Sequence, residues 1–229
     1  MGVGEVVGYS TIESESVATH TVERSEFVSR AYPVSDAGKA MEILAHIRSI
    51  NPKARHTAWA YVLADGSSRS SDDGEPSGTA GKPILDVVEH EDLRDVAVYV
   101  TRFFGGVLLG TGGLVRAYTL AAQLCLRDAT RLRYLACIPV ELTVSYALYD
   151  RVVSLAERMG AEIESPQYAE QVSLTALFRE VGLDEGRGAA SIGARHTRER
   201  VDAFISSVHE MSAGRVVPHV LDPVVRAVS

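Results

Sequence analysis

Apolar residues recur at helical spacing in five stretches of the chain, and at strand spacing in the stretches between them. Ala40, Ile43, Leu44 and Ile47 share one face of a helix predicted to begin near Ser35 and to stop before Asn51-Pro52. A short helix is predicted from Pro83, with Ile84, Leu85 and Val88 inward, because proline suits a first helical position. Leu114, Tyr118, Ala121 and Cys125 recur at helical spacing and predict a long helix opening at Gly112-Gly113. Leu148, Val152, Leu155 and Met159 form a fourth stripe, with Gly160 placed to end it. Val201, Phe204, Ile205 and Val208 form the fifth.

Between these lie strand patterns. "HTAWAYVL" and "DVAVYVTRFF" are rich in β-formers, and the second is apolar nearly throughout, as a central strand is. "PVELTVSY" and "QVSLTAL" alternate, as half-buried strands do. Pro218 assigns "RVVPHV" to an edge. The second half therefore reads β-α-β-β-α-β, the order of a ferredoxin-like domain, and the first half reads as one mixed sheet with helices packed on it. The expected class is α+β with two domains, residues 1–134 and 138–220. Residues 182–195, "GLDEGRGAASIGAR", read as an inserted loop.

Composition narrows the function. Formal charge is −7, divided as 14 Lys+Arg against 17 Asp+Glu in residues 1–136 and 9 against 13 in residues 137–229. Neither half is basic, which argues against non-specific nucleic-acid binding by bulk charge while permitting a local basic face. Cys125 and Cys137 have no CxxC spacing and sit among apolar residues, as buried free thiols do. No basic leader or long apolar run is present, so a soluble cytoplasmic protein without membrane contact is expected.

Two loops carry the candidate chemistry. "FFGGVLLGTGGLVRAY" spaces two glycines as a P-loop does, but Thr111 stands where the lysine belongs, and no third glycine completes a dinucleotide pattern. What survives is a glycine pair opening a helix, flanked by Arg102 and Arg116, which suits an anion; equally, the glycines serve a tight turn. "SDDGEPSGTAGKP" holds Asp72, Asp73 and Glu75, without EF-hand spacing. The same residues suit a turn, with Ser77 or Thr79 able to cap the coming helix. His56 opens a strand. No zinc ligand set, nucleophile elbow or cysteine–histidine pair appears, so no catalytic residue, metal or cofactor is assigned.

Together, in this order and at this separation, "SDDGEPSGTAGKPIL" and "VYVTRFFGGVLLGTGGLVRAY" resemble the signature of the YigZ/Impact family. "ERSEF" (Glu23 to Phe27) and "ARH" (Ala54 to His56) fall where that family has related segments. The resemblance is strongest over residues 20–130. It implies a first domain with the fold of elongation-factor domain IV and a ribosomal protein, and a ferredoxin-like second domain in bacterial members. Eukaryotic relatives regulate translation, and no agreed reaction comes with the family. Glu26 reverses a charge common in the family, and Thr57 or Ala58 stands where a cysteine is frequent.

The two loops are therefore expected to meet at one end of the first sheet. Arg102, Gly105, Gly106, Gly110, Thr111, Gly112, Gly113 and Arg116, assisted by Lys82, form the expected anion or nucleic-acid surface. Asp72, Asp73, Glu75, Thr79 and His56 form a facing polar set. The leading expectation is a non-enzymatic regulator contacting RNA, the ribosome or a translation-related protein. The alternatives are an enzyme acting on a small phosphorylated substrate, with Asp73 or Glu75 as base, and a pure protein-interaction module. The oligomeric state and the identity of the partner stay open.

Overall fold

The computed structural model describes residues 8–180 and 189–228. They group into two units, Tyr9–Arg133 and Tyr134–Val228. In the first, β1 (Tyr9–Ile12), β2 (Ser16–Val22) and β3 (Ser25–Pro33) precede α1 (Ala37–Ile50). Then come β4 (His56–Val62), β5 (Ser68–Ser71), α2 (Gly81–His90), β6 (Val96–Phe103) and α3 (Gly110–Arg127). The sheet order is β2-β3-β6-β4-β5, antiparallel throughout. As its apolar run predicts, β6 is the central strand. One face of it, Val96, Val98 and Val100, packs under α2 and α3 with Ile84, Val88, Leu114 and Ala121. The other, Ala97 and Tyr99, packs with Trp59 and Tyr61 against Leu44 and Ile47 of α1. A strand buried on both faces cannot alternate in sequence.

Each element boundary has a local cause. Asp36 caps α1 by accepting from the Lys39 backbone N–H at 2.8 Å. α3 begins at Gly110, two residues earlier than the glycine pair predicts, and α2 begins at Gly81 rather than Pro83. β5 is polar and carries no strand pattern; it forms because its backbone pairs with Trp59–Val62. Glu23 and Arg24 make the two-residue β2–β3 turn with φ of 45° and 65°, which non-glycine residues rarely adopt. The Cys125 thiol is fully buried, and burial pushes its pKa up to about 12.

In the second unit β7 (Arg131–Val144) leads to α4 (Tyr146–Arg158), β8 (Ala161–Tyr168), β9 (Val172–Arg179), α5 (Ala189–Met211), β10 (His219–Val220) and β11 (Val224–Val228). The strands run β10-β7-β9-β8, with β11 also on β7. Val140, Leu142, Leu174 and Phe178 pack beneath Val152, Leu155, Phe204 and Val208 of the two helices. Gly160 follows α4 with φ of 71°, and Arg200 binds the carbonyls of Met159 and Gly160 there at 2.8 and 2.9 Å. Part of the expected 182–195 loop is corrected: from Ala189 the chain is already helical, continuous with the Val201–Val208 stripe. Residues 182–188 lie outside the described residues.

Candidate functional site

One row of side chains crosses four strands at one end of the first sheet. His20 of β2 lies opposite Phe27 of β3, Phe27 opposite Arg102 of β6, and Arg102 opposite His56 of β4. Arg102 continues the face of Val96, Val98 and Val100, so its guanidinium enters the layer beneath α2 and α3, where a lone charge is costly. Glu75 supplies the countercharge: its Oε1 is 2.9 Å from Arg102 Nη1, and both side chains are nearly inaccessible, 4% and 9% exposed respectively. Tyr118 of α3 donates to the same Oε1 at 2.8 Å, and Arg102 Nη2 reaches Ser25 Oγ at 3.4 Å. The guanidinium also lies 5.7 Å from the Phe27 ring centroid and 5.5 Å from that of Phe104, a favourable stacking for a cation. Burial, with the neighbouring Glu75 charge, raises the Tyr118 phenol far above its usual range, so it stays a neutral donor. His20 stacks on Phe27 at 5.1 Å, and burial lowers its pKa.

The acidic loop is built around its own backbone. Asp72 accepts from the N–H groups of Gly78, Ala80 and Gly81 at 2.8 to 2.9 Å, so it caps α2 from eight residues away. This role falls neither to Thr79, whose hydroxyl donates to the Pro76 carbonyl, nor to Ser77. Burial raises the Asp72 pKa, and the three N–H bonds outweigh it, holding the carboxyl below the usual range. Asp73 pairs with Arg48 at 2.5 Å and accepts from the Thr57 N–H at 2.6 Å, while its carbonyl meets His56 Nδ1 at 2.7 Å. All three carboxylates thus have partners within the chain.

The glycine loop divides the expected anion set. A Cβ on Gly105 would lie 2.0 Å from the Arg24 carbonyl, so the β6–α3 loop packs directly on the β2–β3 turn; Gly105 N–H also donates to Ser25 Oγ. Gly106 and Gly110 have φ of 85° and 67° in open space. Gly112 and Gly113 have no positive φ and sit inside the first turns of α3 with Thr111. Arg116 is exposed, its Nη1 beside Gly112, and Arg24 is exposed at the turn; neither has a carboxylate partner among the described residues. Two placements are corrected. Arg102 is a buried ion-pair member rather than a free anion ligand, since a charge under two helices needs a fixed partner. Lys82 binds Asp86 one helical turn along α2 and does not face Asp72, Asp73 or Glu75.

The loop also exposes apolar surface: Phe104 is 53% exposed and Leu108 87%. Sequence reasoning passed over both, together with Ser25, Phe27 and Tyr118. Tyr118 reads only as part of the α3 stripe and Phe27 only as part of the ERSEF segment; strand register places Phe27 beside Arg102, and packing of α3 brings Tyr118 to Glu75. Among the described residues no group of His, Cys, Asp and Glu could hold a metal, and no helix is long and apolar enough to cross a membrane.

Two helix-covered sheets, with a glycine-loop face tied together by a buried ion pair, define an α+β protein. Residues 23–126 match the Impact N-terminal domain. An IMPACT family member of Haemophilus influenzae is 30% identical over 218 residues, 93% of this chain and 97% of that one. IMPACT family member YigZ of Escherichia coli is 32% identical over 151 residues, 64% of this chain and 74% of its own. The chain belongs to the IMPACT family. A solved structure titled as that of a hypothetical protein has the same fold, with a TM-score of 0.58, 24% identity and coverage of 94% of this chain and 98% of that one.

Proposed function

We propose that this protein is a non-enzymatic binding module that docks RNA of the translation machinery on the glycine-loop face of its first unit, and that it does so in the cytoplasm. The observation that carries the reading is Phe104, half exposed and backed on one side by Arg102, in the loop that packs on the turn bearing the unpaired Arg24 and leads into α3, which bears the unpaired Arg116. An exposed ring accepts an unstacked base, and two free guanidiniums accept phosphates. Arg102 serves here as the support of the ring, its own charge being answered by Glu75. In this reading the first unit has the fold of elongation-factor domain IV. The second is a ferredoxin-like domain, which the order β10-β7-β9-β8 under two helices supports. Leu108 favours a second reading, a protein partner, because an aliphatic side chain exposed at a loop tip adds nothing to phosphate recognition.

The test is titration of a fluorescein-labelled single-stranded 12-mer RNA with wild type, Phe104→Ala, Arg116→Ala and Leu108→Ser. Phe104→Ala is expected to weaken binding about tenfold, since base stacking on a ring contributes roughly 1–3 kcal/mol. Arg116→Ala should reduce the salt dependence by about one phosphate. Binding that is absent, or indifferent to both changes, overturns the RNA reading and leaves the protein reading ahead.

A further inference from the structure

The second unit covers only one face of its sheet with helices, and the open face carries its own unassigned chemistry. A cavity of about 500 Å³ lies there, within the roughly 300–1,000 Å³ typical of small-ligand sites. Its floor is a hydroxyl pair, Thr143 Oγ1 and Ser173 Oγ at 3.0 Å, in register across β7 and β9. Glu141 stands two residues along β7, with Thr175 opposite it on one side and His219 on the other. Arg215 borders the same cavity from the segment that leads into β10.

Glu141 and Arg215 are opposite charges that do not meet, and neither has an ion-pair partner among the described residues. Arg215 Nε donates to the Ser212 carbonyl at 3.0 Å, which orients the guanidinium and leaves Nη1 and Nη2 available. One carboxylate and one guanidinium sum to no net charge, so the lining does not attract a polyanion. No Phe, Tyr or Trp lines the cavity, and its one ring, the His219 imidazole, sits beside the Glu141 carboxylate. Two separated, unanswered, opposite charges with hydroxyls between them complement a ligand that is itself a small dipole.

We propose that this cavity binds a small zwitterion, a free amino acid or a dipeptide, with its ammonium on Glu141 and its carboxylate on the Nη groups of Arg215. The hydroxyls of Thr143 and Ser173 and the amides of Gln167 and Gln171 then meet the remainder of the ligand. This site is independent of the glycine-loop face, and the failure of either proposal leaves the other standing.

The full chain, labelled with nitrogen-15, is titrated with L-glutamine, alanyl-glutamine, N-acetyl-glutaminamide and sucrose while amide shifts are followed. At least one of the two zwitterions is expected to move the amides of Glu141, Thr143, Ser173 and Thr175 saturably, and the doubly blocked amide to leave them still. Response to the amino acid or to the dipeptide alone fixes the span between the charges. Glu141→Gln and Arg215→Gln should each raise the dissociation constant at least tenfold with the melting temperature unchanged, since both side chains are exposed. No saturable shift with either zwitterion, equal binding of the blocked amide, a response to sucrose alone, or unchanged affinity in both variants overturns the proposal.

Discussion

The glycines of the β6–α3 loop look alike in sequence and do three different things. Gly105 leaves room for the backbone of the β2–β3 turn, Gly106 and Gly110 adopt left-handed conformations in open space, and Gly112 is an ordinary helical residue. Alanine substitutions should therefore separate in urea denaturation. Gly105→Ala places a Cβ against a carbonyl that cannot step aside and is expected to cost about 3 kcal/mol. Gly106→Ala meets only the backbone penalty, about 1 kcal/mol. Gly112→Ala should stabilise by about 0.5–1 kcal/mol, because alanine is the better helix former and its Cβ meets only Arg116 Nη1, at 3.6 Å. Equal effects at Gly105 and Gly106 would show that the turn yields. Destabilisation at Gly112 would show that its backbone is under a constraint the helix does not explain.

Among the elements, α2 depends most on a distant residue. Its N-cap, Ala80, offers no side-chain acceptor, and Asp72 takes over the unpaired N–H groups from the preceding loop. Asp72→Ala should cost about 2 kcal/mol at neutral pH, the upper range for a helix cap. The Asp72 pKa is lowered in the folded state, so its contribution is fully present above the unfolded value near 4 and is lost as pH falls through the folded value. The difference between wild type and variant should accordingly shrink as pH falls below about 4. A difference that stays constant across that range would mean the carboxylate charge is not what holds the helix.

For the whole molecule, the buried clusters keep to their own unit: the two of the first sheet draw on residues up to Leu126, and that of the second on Ile138 onward. Residues 134–229 expressed alone are expected to melt cooperatively, with a near-ultraviolet signal from packed aromatics such as Phe178 and Phe204. A broad, non-cooperative transition would mean that the second core needs the first half of the chain.

Periodicity in the sequence determined the five helices and the central place of β6, while β8 (Ala161–Tyr168) and β11 carry no pattern that was legible. The helices and β6 follow from burial of a stripe or a face, a local pattern repeated along a few turns. The same motifs located the two loops and brought them to one end of the sheet. Pairing across strands was beyond that reach. The row His20, Phe27, Arg102 and His56 joins residues up to 82 positions apart, and no local pattern encodes register. The polar strand β5 was invisible for the same reason, since its pairing lies in the backbone. So were the assignments of charge. Asp72, Asp73 and Glu75 are near neighbours in sequence, yet they answer a helix terminus, Arg48 and Arg102 respectively, because only the folded chain decides which buried group most needs a countercharge or an acceptor.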